Sequence, residues 1–323
     1  MIKYSLLTIL VIFFALNMGG ANFGASFAAA HGGKILTKRR AQLLFIIFVF
    51  LGAVFIGKPV SDTLANKIIP REYLKLDVVL IILASATASL FLANRLRVPQ
   101  STSFVAIGAI AGVGLYFKNL YTGNFLYMLP FWVLLPIIGY FLTFFLGKIV
   151  YPPRKSNFWI YERLVNHKDR LRKFIVIASC YNAFSIGTNN VANAVGPLMG
   201  AGLVSGMLGL LLIAPVFGLG GIMFHESLNT TGEKIVPLGL FSATIICFVT
   251  GTLIIIASIF GVPQSFVMIK VAAIFAISGL KRGQRTTFAN PVTRTTYLTW
   301  IITPIMAVTT SYVLTWLRYG VFG

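Results

Sequence analysis

The sequence predicts an all-α polytopic membrane protein of two inverted-topology repeats, about five transmembrane segments each, with broken helices or re-entrant hairpins at the midplane. Three observations carry that prediction. First, the 323 residues are 57% hydrophobic and 11% charged, with a mean hydropathy of +0.87, the balance of a polytopic helical membrane protein. Second, landmarks recur in the same order in both halves. Gly20-Ala21-Asn22-Phe23-Gly24-Ala25-Ser26 aligns with Gly187-Thr188-Asn189-Asn190-Val191-Ala192-Asn193 at an offset of 167, and Lys67-Ile68-Ile69-Pro70 with Lys234-Ile235-Val236-Pro237 at the same offset. Val98-Pro99-Gln100-Ser101 aligns with Val262-Pro263-Gln264-Ser265 at 164, and Trp132 with Trp300 at 168. An internal duplication of about 165 residues accounts for all four. Third, five crossings per copy is an odd number, so the second copy inserts upside down. With the N-terminus outside, 19 of the 27 Lys and Arg fall on the inner side and seven on the outer, with Lys270 inside a span, the skew that positive-inside insertion produces.

The segments follow in order. The first, about Tyr4 to Gly33, is longer than the roughly 20 residues one crossing needs, which predicts a break near Gly19 to Asn22 followed by a small-residue half-helix. Lys34, Lys38, Arg39 and Arg40 end it. Segment two covers about Ala41 to Gly57, and a polar connection carrying Lys58, Asp62, Lys67, Arg71 and Lys75 leads to segment three, about Leu76 to Ala93. After Arg95 and Arg97, Pro99 opens segment four, where Gln100-Ser101-Thr102-Ser103 precede Phe104 to Phe117; segment five spans about Leu126 to Val150. The second copy supplies about Phe174 to Gly200, Leu203 to Met223, Pro237 to Phe260, Pro263 to Leu280 and Tyr297 to Leu317. The units are an N-terminal repeat, 1–151, a basic cytoplasmic linker, 152–173, and a C-terminal inverted repeat, 174–323.

Lys3, the apolar run to Leu16 and Ala28-Ala29-Ala30 resemble a cleaved secretory signal. The equivalent stretch from Phe174 to Met199 is internal, so the first segment is expected to stay in the mature protein. The net charge of +20 does not imply a nucleic-acid partner, because Lys and Arg lie in short runs between apolar segments; the partner they imply is the lipid bilayer. Cys180 and Cys247 sit in apolar segments and read as small buried residues, neither disulfide-bonded nor metal-bound.

Chemistry concentrates at the two matched landmarks. Asn189, Asn190 and Asn193 place three carboxamides within five residues of a lipid-compatible segment, where an unpaired amide costs several kcal/mol. They face the bundle interior or a bound solute, and helix–helix glue is the competing reading. Gly187, Gly196 and Pro197 supply the means to interrupt a helix there. Pro99 and Pro263 stand where a helix begins, with hydroxyls and free N–H groups directly behind. Such an N-terminus is either simply capped or an anion site; two symmetric copies, each alongside an Asn-rich stretch, favour the anion site. Lys270, seven residues after Pro263, is a charge at membrane depth and either neutralises an anion or snorkels to an interface. His31, His225 and Glu226 read as interfacial.

Gly187 to Asn193 with its copy at Gly20 to Ser26, the Pro99-Gln100-Ser101-Thr102-Ser103 segment and Trp300 to Pro304 resemble the inorganic phosphate transporter (PiT) family over nearly the whole chain. Phe184-Ser185, Asn189 to Pro197 and the short central linker are similar to its CysP-type sulfate permease branch. The resemblance implies a secondary active transporter in the cell membrane, importing an inorganic oxyanion by alternating access. Phosphate-carrying members have an Asp in both motifs, where this chain has Phe23 and Asn190, and Ser26 replaces the second Asn of the first copy. Phosphate near neutral pH still carries protons and benefits from a carboxylate acceptor, whereas sulfate only accepts. A site of Asn22, Ser26, Ser101, Thr102, Ser103, Asn189, Asn190, Asn193, Gln264, Ser265 and Lys270, none of them negative, therefore suits sulfate; cation-coupled phosphate transport is the alternative. The missing carboxylates leave proton and sodium coupling both open. No cofactor or catalytic set is expected, since the apolar segments hold no paired carboxylates and no metal-ligand spacing, and the reading is compatible with a homodimer.

Overall fold

The computed structural model describes residues 1–95, 100–223 and 238–321. Each predicted apolar segment forms a helix. The first half gives α1 (Ile2–Gly32), α2 (Lys38–Ile56), the short α3 (Lys58–Asn66), α4 (Leu76–Arg95), α5 (Thr102–Tyr116) and α6 (Thr122–Val150). The linker forms α7 (Phe158–Asn166). The second half gives α8 (Lys168–Asn190), α9 (Ala192–Gly200), α10 (Gly206–Met223), α11 (Leu240–Ile259), α12 (Phe266–Arg282), the short α13 (Gln284–Ala289) and α14 (Pro291–Trp316). Among the described residues, seven helices are long and apolar enough to cross a bilayer: α1, α2, α4, α6, α10, α11 and a last one over Thr293–Gly320. That is fewer than ten, for a physical reason. α8 starts in the polar Lys168-Asp169-Arg170 run, and α5 and α12 start late, each after a short extended stretch buried in the protein. Ser101 accepts a bond from Phe104 N–H (3.1 Å) and Ser265 from Met268 N–H (3.2 Å), so these two side chains cap the helices that follow.

The first predicted break is absent. α1 runs without interruption from Ile2 to Gly32, because the donor groups of its Asn and Ser side chains bond to the helix's own carbonyls. The Nδ2 groups of Asn17 and Asn22 donate to the carbonyls of Phe13 and Met18 (2.8 Å each), and Ser26 Oγ donates to that of Asn22 (3.3 Å). This back-bonding to the preceding turn needs no unwinding. The second copy is interrupted only at Val191, which keeps helical angles (φ −61, ψ −35) while the N–H groups of Ala194 and Val195 both turn to its carbonyl.

Close helix contact is made through bare backbone. A Cβ on Gly19 would run into the Phe217 carbonyl and one on Gly220 into that of Leu16; likewise Gly187 meets the Val49 carbonyl and Gly52 that of Phe184. Such small-residue seams are how helices approach where no hydrophobic force separates protein from lipid. α1 thus packs on α10, and α8 on α2. All four positions of one seam lie 168 residues from their counterparts in the other. At that spacing Asn22 corresponds to Asn190, a correction of one residue to the offset of 167 read from the sequence. Around the seams Phe14, Met18, Phe23, Phe27, Phe45 and Phe217 are fully buried.

Polar contacts bind the helix ends. On one face Asp77, at the start of α4, holds Lys3 Nζ (2.7 Å) and Arg318 Nη2 (3.1 Å), joining the first and last helices. On the opposite face Asn157 Nδ2 donates to the carbonyls of Ile149, Val150 and Pro152, and Ser242 Oγ donates to Tyr151 Oη. Arg97, Val98, Pro99, His225, Glu226 and the Lys234-to-Pro237 match lie outside the described residues.

Candidate functional site

α1, the α8–α9 junction, the start of α5 and the extended residues before α12 bring the Asn and Ser landmarks into one buried region. Asn22, Ser26, Gln100, Ser101, Thr102, Ser103, Asn189, Asn190, Asn193, Gln264 and Ser265 are each no more than 4% exposed. Two contacts pair Asn and Ser side chains of one half with those of the other. Asn190 Nδ2 donates to Asn22 Oδ1 at 3.2 Å, across 168 residues, and Asn193 Nδ2 donates to Ser103 Oγ at 3.2 Å, across 90. Asn190 and Asn193 lie three residues apart, close to one helical turn, which puts both amides on one face.

Asn189 does something else. Its Nδ2 donates to Ser258 Oγ (2.9 Å) and the Val262 carbonyl (3.0 Å), and its Oδ1 accepts from Gln264 N–H (2.9 Å). Thr188 Oγ1 reinforces this through Ser258 (2.9 Å). Asn189 is therefore fully engaged in holding the strand-like stretch that leads to Ser265 and α12. Gln264 is fixed further by Nε2 to the Phe131 carbonyl (3.3 Å), and Trp132 Nε1 donates to the Pro263 carbonyl at 2.9 Å. Gln100 Nε2 makes a similar tie to the Leu90 carbonyl (2.8 Å). Sequence reading missed Ser258 and Trp132; the second had a signal, its match to Trp300 in the repeat.

The amide N–H groups are thus spent on protein partners, while the carbonyl oxygens Asn190 Oδ1, Asn193 Oδ1 and Gln264 Oε1 are buried without one. A buried orphan acceptor costs about 1–3 kcal/mol, and these three, like Asn17 Oδ1 and Asn182 Oδ1 elsewhere in the bundle, are groups that water or a ligand completes. This conformation presents acceptors at the centre of the cluster. An amide offers both kinds of group, and a half-turn of its terminal torsion exchanges them.

Lys270 sits apart from this cluster, beside a cavity of about 40 Å³ that Ser26 and Cys247 also line. Its Nζ lies 5.8 Å from the centre of the Phe266 ring. Neither cysteine is in a disulfide, and the described residues hold no group of three or more His, Cys, Asp or Glu arranged for a metal ion.

Residues 18–311 match the phosphate transporter family, PHO4. The chain is 35% identical to the sulfate permease CysP of Bacillus subtilis over 305 residues, covering 94% of this chain and 84% of that protein. Its fold matches a solved structure entitled "The sodium-dependent phosphate transporter" with a TM-score of 0.84, 23% identity and coverage of 98% and 99% of the two chains. The apolar helices, their buried polar centre and these matches agree, and the chain belongs to the phosphate transporter family as a multi-pass membrane transporter rather than an enzyme.

Proposed function

We infer that the protein imports sulfate by alternating access, holding it where Asn22, Asn190, Asn193 and Ser103 meet. The observation that carries this reading is the pair of contacts joining the two halves, Asn190 to Asn22 and Asn193 to Ser103. Both are made by groups able to donate to an oxyanion, and both break when the amides turn toward a ligand. The hydroxyls of Ser101 and Ser265 accept from backbone N–H groups as the caps of α5 and α12 and keep their own O–H to donate, so these helices offer an anion those hydroxyls, their first free N–H groups and Thr102. Among the described residues no carboxylate stands in the cluster, which favours a fully deprotonated dianion over one that must donate protons.

The inverted arrangement is supported by packing that recurs with exchanged partners: α1 on α10 matches α8 on α2, and the glycine seams repeat at a spacing of 168. On this reading the repeats 1–151 and 174–323 rock about the Asn22–Asn190 contact, with the linker 152–173 on the cytoplasmic face. The similarity to a sulfate permease supports the choice of anion.

The three bare carbonyl oxygens favour a second reading, cation-coupled transport of phosphate, because a protonated phosphate donates to such acceptors and a cation is coordinated by them. Uptake of labelled sulfate into proteoliposomes, with sodium and proton gradients imposed separately, decides between the two. Sulfate uptake that a tenfold excess of phosphate leaves intact supports the first reading. Phosphate uptake that sulfate leaves intact establishes the second.

A further inference from the structure

The two halves are not equivalent around the cluster, and the difference lies at Lys270. Between α9 and α5 the crevice is closed by the Asn193–Ser103 bond. Its counterpart between α1 and α12 holds a cavity of about 40 Å³, room for about three waters, lined by Ala25, Ser26 and Ala29 of α1, Cys247 of α11 and Lys270 of α12. At the offset of 164 that aligns the two Pro-Gln-Ser segments, Lys270 falls on Ala106, which is buried and apolar.

Lys270 is partly exposed, yet its side chain does not reach the basic end of its own helix. It lies 11 residues before Lys281, near the α12 end, which at 1.5 Å per residue is about 17 Å from that level and beyond the reach of a lysine side chain. Its ammonium makes no ion pair or hydrogen bond among the described residues, and the groups facing it from the packed elements are Cys247 and Ser26, neither of them charged in its ordinary state. A cation at this depth with no counter-charge among the described residues is a functional feature.

We propose that the crevice between α1, α11 and α12 is the water-filled path linking the Asn22–Asn190 cluster to the basic face, and that Lys270 selects the ions that use it by charge. The chemistry it fits is a small divalent oxyanion, so this rests on the reading of the central site given above. The small side chains of α1 are what permit the crevice to widen: Ala25, Ala28 and Ala29 offer the least bulk to displace as α12 moves. Ser26, which belongs to both the motif and the crevice, is the hand-over point.

The test uses purified full-length protein in nanodiscs, in a Cys180→Ser, Cys247→Ser background carrying Ala29→Cys. The introduced thiol is reacted with a negatively charged (sulfonate) and a positively charged (trimethylammonium) methanethiosulfonate reagent. With Lys270 present, the anionic reagent reacts about tenfold faster than the cationic one, and millimolar sulfate slows it. In Lys270→Gln the preference disappears, and in Lys270→Arg it returns. An anionic-to-cationic ratio that is the same in Lys270 and Lys270→Gln proteins overturns the proposal. So does a thiol at position 29 that neither reagent reaches while one introduced at the exposed Gly123 reacts readily. If charge selection stands but sulfate neither protects nor is taken up, the crevice is right and the substrate assignment is wrong.

Discussion

Asn189 and Asn190 are neighbours of the same type, yet their surroundings predict opposite results on replacement. Asn189→Ala removes three buried hydrogen bonds, to Ser258, Val262 and Gln264. It strands the Val262 carbonyl and the Gln264 N–H, while Ser258 keeps its bonds to Thr188 and the Ile254 carbonyl. Three bonds at about 0.6–1.7 kcal/mol each within a membrane bundle give a loss of about 2–5 kcal/mol. At about 2–4 °C per kcal/mol for a chain of this order of size, the unfolding midpoint in detergent falls by about 4–20 °C. Asn190→Ala removes one bond, to Asn22, and with it an acceptor that already lacks a partner. The replacement leaves Asn22 Oδ1 bare as it removes the bare Asn190 Oδ1, so the loss is that of one bond, about 0.6–1.7 kcal/mol and well short of the Asn189→Ala loss. Transport reverses the order. Asn190→Ala loses anion uptake at a midpoint closer to normal, whereas Asn189→Ala, assayed well below its lowered midpoint, retains part of it. Midpoints measured by loss of the monodisperse peak on heating, with uptake normalised to inserted protein, read both quantities. An Asn190→Ala protein destabilised as much as Asn189→Ala refutes the division of roles.

Three further outcomes follow from the same contacts. Gly52→Ala and Gly187→Ala drive a methyl group into the backbone of the facing helix, costing about 1–3 kcal/mol or more and reducing monodisperse yield, whereas Gly123→Ala, with open space around it, leaves yield and midpoint unchanged. Asn190→Asp places a carboxylate beside the proposed dianion. At an effective dielectric near 20, charges of one and two about 5 Å apart repel by about 6–7 kcal/mol, and half of that lowers sulfate affinity by about two orders of magnitude, visible as a fall in the sulfate-to-phosphate uptake ratio. Asp77→Asn breaks both ion pairs at the α1–α4–α14 end, where the Lys3 and Arg318 partners are about half exposed and Asp77 is 20% exposed, so the loss stays at about 1 kcal/mol, the upper end for a surface pair, and the midpoint shifts by no more than about 4 °C.

The helical frame was legible because apolar length and Pro or Gly punctuation report it directly. Segments two, three and five and their counterparts lie within a few residues of the observed helices. The serines of the Pro-Gln-Ser landmarks cap α5 and α12, and α12 begins three residues after Pro263, the proline expected to open it. What the sequence hid was direction. Consecutive residues on a helix point about 100° apart, so Asn189 turns to the α11–α12 connection while Asn190 turns to Asn22, and one-dimensional adjacency made them look alike. The expected break in α1 failed because an Asn or Ser can satisfy itself on the preceding turn, a local bond that composition does not reveal. The offset of 167 followed matching letters, while packing follows the glycine seams at 168. Lys270 was visible as a charge at depth, but its placement against Ser26 and Cys247 depends on the approach of α1, α11 and α12, which no single segment encodes.

The most direct measurement is equilibrium binding of labelled sulfate to the purified protein, with Asn190→Ala and Ser103→Ala compared at equal folded fraction. The account predicts saturable sulfate binding that phosphate displaces poorly and that each replacement weakens at least about tenfold. Sulfate binding of undiminished affinity in both variants would contradict it, and so would a protein that binds phosphate and leaves sulfate in solution.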